Sequence, residues 1–158
     1  MLSALIVDDN VALRLALARD LERRGWQVIT AASGVQGLEA IRHQSFDVVI
    51  SDVNMPGRGG VWLWENAVAL RPELRGRFVL ISSEPLPEPR SMGLFVGSEH
   101  FLLKPLSLAT LWGEVQRIVE TAGGKWPHAA WDPDLSTHAL SDQPLDPPQW
   151  PPEALDTP

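Results

Sequence analysis

The chain contains no cysteine, which excludes disulfides, thiolate metal sites and thiol catalysis. It also lacks any apolar run near the roughly 20 residues needed to cross a bilayer. The opening segment, Met1 to Asp9, has no basic stretch ahead of its apolar residues, and two acids cut those residues short. A secretory leader is therefore not expected, and the expected compartment is the cytoplasm. Positive charge is scarce: 13 Lys+Arg stand against 20 Asp+Glu, a formal net charge of −7. With no basic stretch, direct nucleic-acid binding and attachment to an anionic membrane are not expected either.

The scarcity is uneven. Residues 123–158 hold one basic residue, Lys125, against six acids, and they hold eight of the 14 prolines. Apolar periodicity stops there. The change of composition near Gly123 separates a domain, 1–122, from a Pro-rich acidic tail, 123–158. That tail is expected to be disordered or loosely docked, because it has little apolar surface to offset the entropy of ordering. Its three tryptophans, Trp126, Trp131 and Trp150, leave open a docked arrangement on the domain itself or on a partner.

Within 1–122, strand and helix signals alternate. Ala4–Val7 is a short apolar run that stops at Asp8-Asp9. Leu13, Leu17 and Leu21 then mark one face of a helix, closed by Arg23, Arg24 and Gly25. Trp26–Ile29 reads as a second strand, and Ser33 as the cap of a helix through Leu38, Ile41 and Arg42. Val48–Ile50 leads to Asp52. A helix follows from Val61 to Leu70, stopped by Arg71-Pro72. Phe78–Ile81 and Phe101–Leu103 are further strands, and Leu108, Leu111, Trp112, Val115, Ile118 and Val119 define a last amphipathic helix. Five strands alternating with helices predict βαβ crossovers and a doubly wound parallel sheet with helices on both faces. The unbroken apolar character of the strands fits a sheet covered on both sides.

In such a sheet the chemistry lies beyond the carboxyl ends of the strands. There the sequence puts Asp8 and Asp9 after the first strand, Asp52 after the third, Ser82-Ser83 after the fourth and Lys104-Pro105 after the fifth. Three neighbouring carboxylates repel one another unless a cation joins them. A hard divalent ion such as Mg²⁺ takes oxygen ligands, typically one or two carboxylates plus phosphoryl oxygens. A lysine and a hydroxyl beside it can hold the remaining oxygens of a phosphoryl group. Each feature alone is an ordinary cap or turn. Together, at the right strand ends, they describe a place for phosphate on a carboxylate.

These residues resemble the receiver domains of two-component response regulators, of the single-domain, CheY-like kind. The likeness covers about residues 3–121. It rests on Asp8-Asp9, on Asp52-Val53-Asn54-Met55-Pro56-Gly57 with Gly60 behind it, and on Ser82, Phe101 and Lys104-Pro105. The resemblance implies a flavodoxin-like sheet of strand order 2-1-3-4-5 and a signalling domain instead of an enzyme. It implies that Asp52 accepts a phosphoryl group from a histidine kinase or a histidine phosphotransfer protein. It further implies Mg²⁺ bound by Asp9 and Asp52, by Asp8 through water, and by the main-chain carbonyl of Asn54. Lys104 and Ser82 would bind the phosphoryl oxygens, and Ser82 and Phe101 would form the switch. Asn54 and Glu84 would flank the hydrolytic water and tune the phosphoryl lifetime, and the Lys104–Pro105 bond would be cis. The kinase would approach the loop after Lys104-Pro105 and the exposed face of the first helix, near Arg14. A homodimer would use the fourth helix, the fifth strand and the last helix, with Trp112 near that face.

One departure stands out. Glu84-Pro85-Leu86-Pro87-Glu88-Pro89 sets three prolines where a fourth helix normally begins, which predicts a loop and a helix cut to about Arg90–Val96. Ser83 also replaces the small residue common beside the switch hydroxyl. A haloacid-dehalogenase-like phosphatase would need a second acid where Asn54 stands. A dinucleotide-binding domain would need a Gly-rich turn where Asp8-Asp9 stand. Two further alternatives are a degenerate, scaffolding receiver and a receiver that is part of a hybrid kinase or multidomain regulator.

Overall fold

The computed structural model describes residues 1–84 and 100–122. The short helix expected near Arg90–Val96 and the tail after Ala122 lie outside these residues. The element order is β1 (Ser3–Val7), α1 (Val11–Arg23), β2 (Gln27–Ala31), α2 (Gly34–His43), β3 (Val48–Asp52), α3 (Gly60–Leu70), a 3₁₀ turn (Pro72–Leu74), β4 (Phe78–Ser82), β5 (His100–Leu103) and α4 (Leu108–Thr121). The five strands form one parallel sheet in the order β2-β1-β3-β4-β5, the flavodoxin-like order expected.

The period of two along each strand divides the core into two layers. Leu5, Val7, Val49, Phe78 and Leu80 pack toward α2 and α3, while Ala4, Ile6, Val48, Ile50, Val79 and Ile81 pack toward α1 and α4. Burying each larger aliphatic side chain stabilises by about 1.5–3 kcal/mol, so both sheet faces contribute to holding the strand ends in register.

β2 begins one residue later and ends two residues later than the apolar run suggested. Gly25, at φ 86°, turns the chain out of α1, a conformation that a residue with Cβ adopts at a cost. Trp26 then drops into the α1-side core, 4% exposed, and pairing starts at Gln27. Thr30 and Ala31 extend β2 because Ile6 and Val7 of β1 pair with them, a non-local cause invisible in local hydropathy.

Trp112 corrects a second expectation. It is fully buried and offers nothing to a surface. Its indole Nε1 donates to Asp20 Oδ2 at 2.5 Å, and the same oxygen accepts from Arg24 Nε at 3.1 Å. Asp20 and Arg24 are 1% and 2% exposed. This satisfied polar cluster ties α1 to α4, as buried charge requires.

Candidate functional site

Parallel strands that end together bring their terminal residues to one edge. β1 ends just before Asp8 and Asp9. Asp8 N–H donates to Ala31 O (3.1 Å), which fixes the chain as it leaves the sheet. Asn10 caps α1 by accepting from Leu13 N–H at 3.1 Å, and its own N–H donates to Asp8 Oδ1 at 2.8 Å. Asp52 closes β3. Gly60 makes this possible, since a Cβ there would lie 2.7 Å from the Asp52 carbonyl oxygen and 3.1 Å from Leu80.

Carboxylate oxygens of Asp8, Asp9 and Asp52 all lie within 4.8 Å of one another. Asp8 and Asp52 are buried and Asp9 is exposed. Lys104 Nζ reaches Asp52 Oδ2 at 3.1 Å and Asp8 Oδ2 at 3.9 Å. Burial, foremost, pushes the Asp8 carboxyl up to about 6; the charges of Asp52 and Asp9 push the same way, while the Asn10 N–H and Lys104 oppose them. Hard oxygen donors that repel one another in this way fit a divalent ion such as Mg²⁺.

Arg14 corrects a third expectation. It is 6% exposed, not a solvent-facing docking residue. Its Nη1 donates to the Asp8 carbonyl oxygen at 2.7 Å, so it holds the acidic turn from beneath. Burial lowers its pKa from the ordinary arginine value, while Asp8 and Asp9 act in the opposite direction. The signal was present in the sequence: from Val11 to Ala18, Arg14 is the one charged residue in an apolar run.

On the other side of Asp52, Asn54 N–H donates to Asp52 Oδ1 at 3.0 Å. The Asn54 side-chain oxygen meets Ser82 Oγ (2.9 Å), Ser83 N (3.1 Å) and Ser83 Oγ (3.2 Å). Ser82 Oγ also lies 2.6 Å from the Glu84 carbonyl oxygen and accepts from Glu84 N–H at 3.2 Å. Lys104 N–H donates to Ser82 O at 2.8 Å, and the Lys104–Pro105 bond is cis. Phe101 is half-buried against the α2/α3 side of the core. The structure thus brings Asp8, Asp9, Asp52, Asn54, Ser82, Glu84 and Lys104 to one edge. Ser83 joins them, a residue to which sequence reasoning gave no role.

An apolar groove of about 400 Å³ opens beside Lys104, lined by Leu13, Leu17, Pro105, Leu106 and Leu111. It separates α1 from the loop leading into α4. Among the described residues no helix is long and apolar enough to cross a membrane.

A parallel sheet of this order, with the acidic crevice and Lys104 at its carboxyl edge, defines the flavodoxin-like class of doubly wound protein, whose ligands bind at that edge. Residues 4–116 match the family model of the response regulator receiver domain, and the chain belongs to that family, a signalling family of two-component systems. The chain is similar to the transcriptional activator protein PfeR of Pseudomonas aeruginosa, 36% identical over 68% of this chain and 34% of that protein. It is also similar to the sensor protein EvgS of Escherichia coli K12, 34% identical over 77% of this chain and 10% of that protein. Among solved structures, a CheY-like receiver domain protein from Methanospirillum hungatei matches with a TM-score of 0.69 at 26% identity, over 78% of this chain and 98% of that one. Vibrio cholerae CheY4 matches with a TM-score of 0.66 at 32% identity, over 75% and 98%. The chain spans between a tenth and about half of the length of the curated relatives it matches.

Proposed function

We propose that this receiver takes a phosphoryl group onto Asp52 from a phosphohistidine of a sensor histidine kinase or phosphotransfer protein, and that it signals through protein contacts in the cytoplasm. The observation that carries the reading is Lys104 Nζ, 3.1 Å from Asp52 Oδ2, with Asp8 and Asp9 alongside. Asp52 is the nucleophile. One of its oxygens bonds to phosphorus as the phosphorus–nitrogen bond of the donor breaks and the electron pair leaves on the imidazole. Lys104 moves from the bare carboxylate to a phosphoryl oxygen and stabilises charge there. Asp8, Asp9, Asp52 and the Asn54 main-chain carbonyl would hold Mg²⁺, which would supply neutralisation of the transferred group's charge. The burial of Asp8 and Asp52 favours this by excluding water that would weaken those interactions.

Ser82 and Phe101 form the switch. A phosphoryl oxygen accepts a stronger hydrogen bond than the neutral carbonyl that Ser82 now contacts. Drawing the hydroxyl away from Glu84 frees space toward Phe101. The face formed by β5 and α4 then changes, with homodimerisation as one readout. The groove between α1 and the loop after Pro105 suits the phosphodonor, because it is apolar and borders Lys104. The same roles hold for a receiver acting alone or within a longer chain.

Incubation with acetyl phosphate and Mg²⁺ tests the reading by intact mass. The expected result is a gain of one phosphoryl group, absent without Mg²⁺ and absent in Asp52→Asn. A full-size gain in Asp52→Asn would refute Asp52 as acceptor, and no gain in the unmodified chain would favour a scaffolding receiver.

A further inference from the structure

Three donor atoms converge on the Asn54 side-chain oxygen, and they cannot all serve it. Ser82 has one hydroxyl proton. Its oxygen is 2.6 Å from the Glu84 carbonyl and 2.9 Å from Asn54 Oδ1, so that proton goes to Glu84. An amide oxygen has two lone pairs, and the N–H and Oγ–H of Ser83, at 3.1 and 3.2 Å, fill both. The Ser83 main-chain N–H can only donate. The end of the amide facing β4 is therefore the oxygen, and the Asn54 NH₂ is turned the other way. Among the described residues that NH₂ has no protein partner.

We propose that Ser83 is a positioning residue for the loss of the phosphoryl group: it holds the Asn54 amide with its oxygen withdrawn, and so lengthens the life of phosphorylated Asp52. The inference rests on the reading that Asp52 carries the phosphoryl group. In hydrolysis the water oxygen bonds to phosphorus, the bond from phosphorus to the Asp52 oxygen breaks, and its electron pair returns to the carboxylate. The water proton leaves with the phosphate. An acceptor beside that water draws off its proton and favours attack. An NH₂ in the same place can only donate, and it engages the lone pair that the attack needs. Asn54, whose peptide N–H already binds Asp52 at 3.0 Å, is close enough for its amide orientation to matter.

The test uses the full chain, phosphorylated with acetyl phosphate and Mg²⁺, freed of small molecules and followed by intact mass. Ser83→Ala leaves one of the two donors and frees a lone pair. Its phosphoryl group should decay about three- to tenfold faster, the size of one neutral hydrogen bond. Ser83→Thr, which keeps the hydroxyl, should restore slow decay. In an Asn54→Ala background, Ser83→Ala should have no further effect. Unchanged or slower decay in Ser83→Ala overturns the proposal. So does an equal acceleration with Asn54 already removed, since Ser83 would then act by another route. Failure of the unmodified chain to gain a phosphoryl group removes the Asp52 reading and this one with it, whereas phosphorylation with decay indifferent to Ser83 removes this one alone.

Discussion

Asp52 lies between two half-sites of opposite construction. On the β1 side are charged groups: buried Asp8, exposed Asp9, and Arg14 beneath them with its guanidinium on the Asp8 carbonyl. On the β4 side are neutral amides and hydroxyls near solvent, with Ser83 bonded to the Asn54 side-chain oxygen and Ser82 to the Glu84 main-chain carbonyl. Buried charge interacts strongly and tolerates little rearrangement, because leaving a buried ion unpaired is costly. Neutral hydrogen bonds near water are worth about 0.5–1.5 kcal/mol each and are exchanged readily. On the proposed reading, the charged half captures the phosphoryl group and the neutral half times and reports it. Lys104 spans the division, with its Nζ on the carboxylates and its N–H on Ser82 O.

The largest expected effect falls on Lys104. Lys104→Ala should slow phosphorylation by acetyl phosphate about 10²–10³-fold, the usual consequence of losing one donor aimed at developing charge. Time courses by intact mass measure it. A loss below about threefold would mean that the carboxylates and metal suffice, and that Lys104 belongs functionally to the neutral half.

Next comes the metal. A ligand that binds the native state alone stabilises it, by about 2.7 kcal/mol at a hundredfold excess over its dissociation constant. Mg²⁺ should thus raise the melting temperature by several degrees. Asp9→Asn should shrink that rise, while Ser83→Ala should leave it intact. Equal Mg²⁺ shifts in the parent chain and Asp9→Asn would break the division between the halves.

Arg14 ranks third. Arg14→Met keeps the apolar stem but orphans the Asp8 carbonyl, a loss of about 1–3 kcal/mol of stability in urea titrations. Because Arg14 holds the acidic turn instead of facing a partner, phosphorylation by kinase and by acetyl phosphate should fall together. Selective loss of the kinase route would restore Arg14 as a docking residue.

What the sequence disclosed follows the same line. Continuous apolar runs revealed the strands, and the polar residues that ended them, Asp8, Asp9, Asp52, Ser82 and Lys104, do meet at one edge, since parallel strands leave no alternative. Contacts between distant residues were hidden. Nothing local says that Ser83 binds Asn54, 29 positions earlier, or that Trp112 shares Asp20 with Arg24. Helical periodicity counted Leu13, Leu17 and Leu21 as the inner face, yet Arg14 is also buried because the acidic turn supplies an acceptor for it. Hydropathy assigns a charge to solvent unless its partner is known.

The smallest change in stability, and the sharpest test of the neutral half, is expected from Ser82→Ala. The hydroxyl bonds Glu84 O and accepts from Glu84 N–H, so its removal should cost about 0.5–1.5 kcal/mol. Ser82 reaches none of the three carboxylates through a direct hydrogen bond among the described residues, and so phosphorylation should stay within a few-fold of the parent rate. The reporting step is different. With beryllofluoride as the phosphoryl mimic, the parent chain should show altered amide exchange at Phe101–Leu103, because the Ser82 hydroxyl leaves Glu84 for the new anion and the space toward Phe101 changes. Ser82→Ala has no hydroxyl to move, and exchange at Phe101–Leu103 should then be the same with and without beryllofluoride. A response in Ser82→Ala equal to the parent's would show that the signal leaves the charged half directly, through Lys104, and that the β4 side times the phosphoryl group without reporting it.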